Sequence, residues 1–377
     1  MTPIAQPIRR TAPEQTKADL QAPRTTPFGP RAHKGVVAEI KPLAGPRLVH
    51  AAPAPVYAID GQGALVLDLP LAATRSRSLG QLLRDAAELY KVKVVALVVV
   101  TAWGGYHLGA LQAGKPTLAL PLLEVLGGIG LVSAGAGALN EVMERKTDAL
   151  MHRTAHRPMA ADRISLPLGL SAALGALLLG ALGLHLFSNG LTALLALLTA
   201  LVYTLVYTPL KRRTRWATFL GAFPGAMGPM LGWTAAQGRI AWPAVALFAI
   251  LFVWQFPHFM SIAWLYRADY ARAGIRMLPV VQPDGVSTVV VSLLHAALMI
   301  PVSLLPVLLG TAGVAYALPA SALGLVYLAA TIRFARILKP VPEAESRRVA
   351  RELLKVSVLY LPLLFAALIF GASRMHG

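Results

Sequence analysis

Nine stretches of this chain, each about 20 residues long and nearly free of charge, limit what it can fold into more than any other feature. They lie at about 92–112, 117–138, 164–186, 189–208, 216–235, 241–262, 286–309, 312–332 and 352–371, and each can cross roughly 30 Å of hydrocarbon as a helix. Lipid offers no partner for backbone N–H and C=O groups, so such a segment satisfies them internally by coiling. The composition agrees: 14% of residues are charged, against about a quarter in a soluble domain. The expected fold class is all-α, a polytopic membrane protein built as a nine-transmembrane-helix bundle.

Charge sets the expected orientation. Thirty-five Lys and Arg against seventeen Asp and Glu give a formal net charge of +18. The basic residues sit between the apolar runs, so they read as topology signals and not as a nucleic-acid surface. Of the basic residues that lie between spans, the connections after spans two, four, six and eight hold nearly all, including Arg145, Lys146, Lys211, Arg212, Arg267, Arg272, Arg333 and Arg336. The opposite connections hold little beyond Lys115 and Arg239. By the positive-inside rule the N-terminus is cytoplasmic and the C-terminus outside, the arrangement of an integral protein of a bacterial inner membrane.

Residues 1–78 form a basic extension, and 79–377 the membrane-embedded domain. Rich in Pro, Ala, Thr and Arg, with no periodic apolar face, residues 1 to about 56 are expected to be disordered. The segment LGQLLRDAAELYKVK reads as a short amphipathic helix on the membrane before the first span. Without cysteine, the chain has no disulfide and no thiolate metal site.

The chemistry concentrates where span two leaves the membrane, in NEVMERKTDALMHRTAHRP. Asn140, Glu144 and Asp148 are four apart, so they drift by only about 40° per step and share one helix face. Glu141 and Arg145 read as an ordinary helix-stabilising pair. Glu144 and Asp148 are like charges at the same spacing, which weakens an isolated helix unless a cation lies over them. Mg²⁺ suits two carboxylates and an amide oxygen, with water or substrate phosphate filling the remaining positions; a solvated juxtamembrane helix is the bland alternative. Lys211 and Arg212, with Arg153 and Arg157, would supply a basic rim for a diphosphate. Asp269, where span six meets water, could add a ligand from a second helix.

Other polar residues read differently. Glu124 lies roughly 24 Å from Asn140 along a helix, at the opposite leaflet, and is expected to be structurally paired there. Gly221/Gly225 and Gly228/Gly232 recur at four-residue spacing, which points to close helix packing.

Taken in order, ALNEVMERKTDALMHRTAHRP, VYTPLKRRT, GAFPGAMGPMLGW, PHFMSIAW and DYARAGIRMLPVV resemble the UbiA superfamily of intramembrane prenyltransferases, and within it the branch that farnesylates haem. The likeness spans residues from about 85 to 372. It implies a helical bundle around a central cavity with a cytoplasmic-side active site. It also implies transfer of farnesyl from farnesyl diphosphate to a vinyl group of haem B, with addition of water, giving haem O. Mg²⁺ is the implied cofactor, Asn140, Glu144, Asp148 and Asp269 the implied catalytic metal residues, and His258 and Tyr207 candidate haem contacts. A lone interfacial His is also often a hydrogen-bonded structural residue. The implied partners are the bilayer, the two substrates, and downstream haem A synthase or oxidase assembly factors.

The chain departs from the pattern at Val92, between Lys91 and Lys93, where Pro is usual. It departs again at Ala217, at Gly228, and at Tyr270, which follows Asp269 with no second Asp in its turn. The runner-up reading is a UbiA-type enzyme acting on an aromatic quinone precursor. A transporter stands third, because the acidic residues lie at one membrane surface and not at mid-bilayer.

Overall fold

The computed structural model describes residues 56–59, 65–68, 78–118 and 120–373, and the chain divides into two units, Met1–Arg75 and Ser76–Gly377. In the first unit β1 (Val56–Ile59) and β2 (Leu65–Asp68) pair antiparallel, with Val56 opposite Asp68 and Ile59 opposite Leu65. The all-α expectation does not include this hairpin. Its quartets VYAI and LVLD are rich in β-formers and flank a stretch containing Asp60 and Gly61, a short-range hairpin signal. The expectation of disorder before residue 56 lies outside the described residues.

The second unit is helical. It opens with the expected amphipathic helix, α1 (Leu79–Leu89), whose N-terminus is capped by Ser78 accepting the Gln81 N–H at 3.3 Å. Leu79, Leu82 and Leu83 are exposed on α1, while Leu89 is buried. There follow α2 (Val92–Gln112), α3 (Leu120–Asp148), α4 (Leu166–Phe187), α5 (Gly190–Leu210), α6 (Ala217–Gln237) and α7 (Trp242–Leu265). Two short helices, α8 (Arg267–Arg272) and α9 (Leu278–Val281), precede α10 (Val286–Leu308), α11 (Val314–Leu338) and α12 (Glu343–Ser373).

Among the described residues eight helices are long and apolar enough to cross a membrane: α2 to α5, α7 and α10 to α12. The remaining expected span coincides with α6, which has 21 residues but carries four glycines and two prolines in place of large aliphatic side chains. What α6 lacks in hydropathy it returns as packing. A Cβ on Gly232 would lie 1.8 Å from the Ala102 carbonyl oxygen, one on Gly105 of α2 2.0 Å from that of Pro229, and one on Gly228 2.2 Å from Thr101 Oγ1. Backbone therefore meets backbone along the α2–α6 crossing, as the glycine spacing predicts. At one end of the crossing Lys115 Nζ donates to the Ala236 carbonyl (2.8 Å) and Gln237 Nε2 to that of Gly109 (2.8 Å), closing helix ends that lipid would leave unsatisfied.

α6 also joins the two halves of the bundle. Its Leu231 and Ala236 belong to the core of α2 to α5 with Ile129, Val132 and Leu184. Its Met230 and Trp233 belong to the core of α7 and α10 to α12 with Leu247, Met299 and Tyr327.

Glu124 corrects an expectation. It is half-buried on the first turns of α3 and forms no hydrogen bond or ion pair among the described residues, so the expected structural pairing is absent.

The glycines separate into two classes that a mutational test can tell apart. Gly232→Ala should destabilise the protein by about 2 kcal/mol or more, because the new methyl forces the α2 backbone away. Gly127→Ala, where a Cβ would meet nothing within 4 Å, should be neutral or slightly stabilising through its helix propensity. Thermal unfolding of the purified proteins in one detergent reads both; equal melting temperatures would contradict the packing account.

Candidate active site

α3 continues unbroken past its apolar stretch to Asp148, and so carries Asn140, Glu144 and Asp148 along its last turns. Asn140 and Asp148 are 1% exposed and Glu144 is 8% exposed. Two buried like charges at a helix C-terminus are doubly disfavoured, by each other and by the helix dipole. The structure answers with cations from three other segments.

Lys211, directly after α5, reaches both oxygens of Glu144 at 2.6 and 2.7 Å. Arg157, in the turns after α3, meets Asp148 Oδ2 at 2.8 Å. Lys91, between α1 and α2, donates to Asn140 Oδ1. Asn140 Nδ2 in turn donates to Glu144 Oε2 (3.0 Å) and to Thr208 Oγ1 (2.8 Å), so one amide ties the rim to α5. Burial pushes the Lys91 ammonium down to about 8, helped by the nearby Arg157 and Lys211 charges. Burial also works against the charge on Lys211, but Tyr207 and Glu144 more than offset it and hold the group above the ordinary lysine value.

Local backbone geometry aims these groups. Lys91 sits in the left-handed region (φ 49°, ψ 46°), a conformation that costs a non-glycine residue about 1–2 kcal/mol. The sharp turn it makes between α1 and α2 sends its stem across Gly137, where a Cβ would come within 3.4 Å of Lys91 Cδ. α5 switches to a π-helical turn at Val202–Tyr207. Thr208 Oγ1 donates to the Tyr203 carbonyl at 2.9 Å, the Tyr203 and Tyr207 rings stack at 5.5 Å, and Lys211 Nζ lies 5.2 Å above the Tyr207 ring. The irregular turn thus gathers Tyr203, Tyr207, Thr208 and Lys211 on the side facing α3.

A second cluster forms around α8. Asp269 pairs with Arg272 and accepts the Arg153 N–H at 3.4 Å. Arg153 lies 4.8 Å over the Tyr266 ring and donates to the Tyr270 hydroxyl at 3.1 Å. Among the described residues no three His, Cys, Asp or Glu side chains converge on one point. In this arrangement Asp269 is held by Arg272 and in turn holds the Arg153 segment by its backbone N–H.

The remaining expected residues fall elsewhere. Arg212 is exposed and makes no ion pair among the described residues. His258 is hydrogen-bonded within the bundle: its Nδ1 lies 2.8 Å from Ser357 Oγ, and its ring stacks on Trp254 at 4.7 Å. The Glu141–Arg145 pair does not form. Glu141 is fully buried and accepts the Met159 N–H at 3.3 Å, while Arg145 donates to the Val142 carbonyl. One position from Asn140, Glu141 turns inward against the following turns and not along the surface where Arg145 lies.

The donor set fits Mg²⁺. Three hard oxygen donors share a buried face, and Lys91, Lys211 and Arg157 now place positive charge on each of them. Two carboxylates and an amide leave further positions for phosphate oxygens and water, the usual Mg²⁺ arrangement.

Comparison with known proteins bears on the family and the fold. The UbiA prenyltransferase family matches residues 97–371. The protoheme IX farnesyltransferase of Koribacter versatilis is 50% identical over 304 residues, covering 81% of this chain and 98% of that protein. The protoheme IX farnesyltransferase of Solibacter usitatus is 42% identical over 293 residues, covering 76% and 98%. Among solved structures, a digeranylgeranylglyceryl phosphate synthase superposes with a TM-score of 0.63 at 19% identity, covering 78% of this chain and 99% of that one. A UbiA homologue from Archaeoglobus fulgidus bound to GPP and Mg²⁺ superposes with a TM-score of 0.53 at 15% identity, covering 75% and 99%; both likenesses concern the fold.

The cation network makes its own prediction. Arg157→Gln leaves Asp148 buried without its ion-pair partner and should cost about 3 kcal/mol in metal-free detergent solution. Added Mg²⁺ should return part of that loss by replacing the missing charge. Unfolding scans with and without Mg²⁺ check this, and a variant as stable as the parent in both would refute the pairing.

Proposed function

The chain belongs to the UbiA prenyltransferase family, and on that premise we propose that it transfers the farnesyl group of farnesyl diphosphate to a vinyl group of haem B, giving haem O. The observation that carries the reading is the buried Asn140–Glu144–Asp148 face met by Lys211 and Arg157. The relatives named protoheme IX farnesyltransferase supply the acceptor.

Mg²⁺ held by Asn140, Glu144 and Asp148 would neutralise charge on the leaving diphosphate. Lys211 and Arg157 sit on the carboxylates that would hold it, so each is placed to turn to phosphate oxygens when substrate enters. Arg153, anchored by Asp269 and flanked by Tyr266 and Tyr270, forms the facing wall. Arg212, exposed beside Lys211, is the outer member of the rim. The C1–O bond of farnesyl diphosphate breaks and diphosphate leaves with the electron pair. The terminal vinyl carbon of haem then bonds to C1. Water captures the resulting cation beside the pyrrole and releases a proton. The protein supplies charge stabilisation, alignment and exclusion of stray water, and no side chain serves as nucleophile. Tyr207 and His258 remain the candidate haem contacts, His258 through the ring edge opposite its bond to Ser357. The extension and the site face the cytoplasm, with the C-terminus outside the cell membrane, and product passes to downstream haem-modifying or oxidase-assembly partners.

Glu144→Gln should lower turnover by a factor of about 100 or more, a typical cost of losing a charge that stabilises a transition state, while the protein still inserts and purifies. Near-parental turnover in excess Mg²⁺ would remove Glu144 from the reaction. Incubating the protein with Mg²⁺, farnesyl diphosphate and haem B should yield a more apolar haem heavier by farnesyl plus hydroxyl, with the oxygen drawn from labelled water. Prenylation of 4-hydroxybenzoate with haem untouched would move the acceptor to the quinone-precursor class.

A further inference from the structure

Just outside the site, the segment between α5 and α6 carries two basic residues that the reaction does not use, Arg213 and Arg215, and Arg276 from the segment between α8 and α9 lies beside them. Arg213, Thr214, Arg215 and Trp216 line a pocket of about 320 Å³ together with Arg276 and Val281. No acidic side chain lines it, and Arg213, Arg215 and Arg276 form no ion pair among the described residues. Three guanidinium groups around one small space, without a carboxylate, favour an anion.

The surface beneath the pocket is aromatic. Trp216, 63% exposed, meets Phe219 edge-on at 6.4 Å, and Phe219 meets Phe252 at 5.6 Å and Phe223 at 5.5 Å. Phe223 continues to Phe252 (4.9 Å) and Phe248 (6.2 Å), so a seam of rings runs down the α6–α7 junction. Phe219 and Phe223 lie on the opposite face of α6 from Gly221, Gly225, Gly228 and Gly232, whose neighbours are Tyr207, Gln255, Thr101 and Ala102. The seam therefore faces outward, and both phenylalanines are about 40% exposed. From Trp216 to Phe223 the helix rises about 10 Å, within the roughly 15 Å of hydrocarbon in one leaflet.

We propose that this pocket and seam bind one anionic phospholipid of the leaflet on the site's side, its phosphate among Arg213, Arg215 and Arg276 and one acyl chain along the rings. A bilayer phospholipid fits better than a second prenyl diphosphate, because a diphosphate travels with a divalent cation and this pocket offers that ion no carboxylate. Occupancy would reach the active site through the backbone. The Arg276 N–H donates to the Lys211 carbonyl at 2.9 Å and Arg276 Nη1 to that of Arg213 at 3.5 Å, so a headgroup that fixes Arg276 also fixes the segment carrying Lys211.

Trp216 gives a direct readout independent of turnover. The full chain is reconstituted in phosphatidylcholine vesicles containing a small fixed fraction of brominated phosphatidylglycerol or brominated phosphatidylcholine. The Trp216 signal is taken as the difference from a Trp216→Phe variant. Phosphatidylglycerol should quench Trp216 in preference to phosphatidylcholine, by about fivefold in apparent affinity for each engaged arginine. Arg215→Gln with Arg276→Gln, which leaves Lys211, Arg212 and Arg213 to hold the loop's orientation, should abolish the preference. If that variant does not fold, the parent protein decides: bromines near the top of the acyl chain should quench more from phosphatidylglycerol than from phosphatidylcholine. Equal quenching by the two lipids, or a preference that survives the double substitution, overturns the proposal. So does displacement of phosphatidylglycerol by inorganic phosphate or diphosphate at concentrations too low to screen charge, which would make the pocket a site for a free anion.

Discussion

Lys211 and Glu144 close an ion pair that most of this end of the bundle leans on. Glu144 stands in the last turns of α3, where the dipole and Asp148 both oppose a negative charge, and Lys211 neutralises it from the end of α5. The same Lys211 offers its carbonyl to Arg276 from the segment after α7. Three helix ends far apart in sequence are thereby joined through one residue. Breaking such a pair by removing one partner is costly, yet replacing both with apolar groups is often neutral or stabilising. Stability alone does not call for buried charge here. On the proposed function, chemistry that needs metal-binding carboxylates within reach of mobile cations does, and the pair is then an active-site arrangement that the fold has been made to tolerate.

That tolerance rests on the rigidity of the membrane part. Helices in lipid gain little from hiding apolar side chains from one another, so association depends on close fit. The α2–α6 crossing places backbone against backbone at Gly105 and Gly232 and seats the Thr101 side chain on Gly228, and Gly135 and Gly180 bring backbones together between α3 and α4. With α2, α3, α4 and α6 locked in this way, the ends that carry Lys91, Asn140 and Lys211 have little freedom to drift. A left-handed Lys91 and a π-helical turn in α5 are departures from regular geometry that such a frame can hold, and both occur where side chains must point into the site.

How much of this was legible in the sequence follows from the kind of signal each part leaves. Apolar length gave eight of the nine expected spans, all but the Gly- and Pro-rich α6, charge asymmetry singled out the end that bears the candidate site, and the spacing of Asn140, Glu144 and Asp148 gave the shared face. All are periodic or compositional properties of single helices. The pairing of Lys211 with Glu144 and of Arg157 with Asp148 was readable only as a basic rim, because partner choice depends on how helices cross. Lys91 was visible merely as a departure at Val92, since its role comes from a φ of 49° that no residue pattern announces. Glu141 was misread because the i,i+4 rule describes an isolated helix, and tertiary burial overrides it. Asp269 was readable only as a candidate ligand from a second helix; that Arg272, three residues on, pairs with its carboxylate was not read from the spacing.

The charges gathered at this end bear on what such a site could receive. Among the buried and half-buried groups, Lys91, Arg157 and Lys211 stand against Glu141, Glu144 and Asp148, charge for charge when all are ionised. On the proposed function, a divalent cation entering alone would leave two positive charges unbalanced there. A trianionic diphosphate entering alone would leave the site strongly net negative, with its oxygens facing the carboxylates. The two together leave a single negative charge, which the exposed Arg153 and Arg212 can meet. Burial makes each imbalance expensive, because charge is screened poorly at sites with this little exposure. The charge set is therefore matched to the metal–diphosphate complex and to neither component by itself, which gives Lys211 and Arg157 a reason to rest on the carboxylates until that complex arrives.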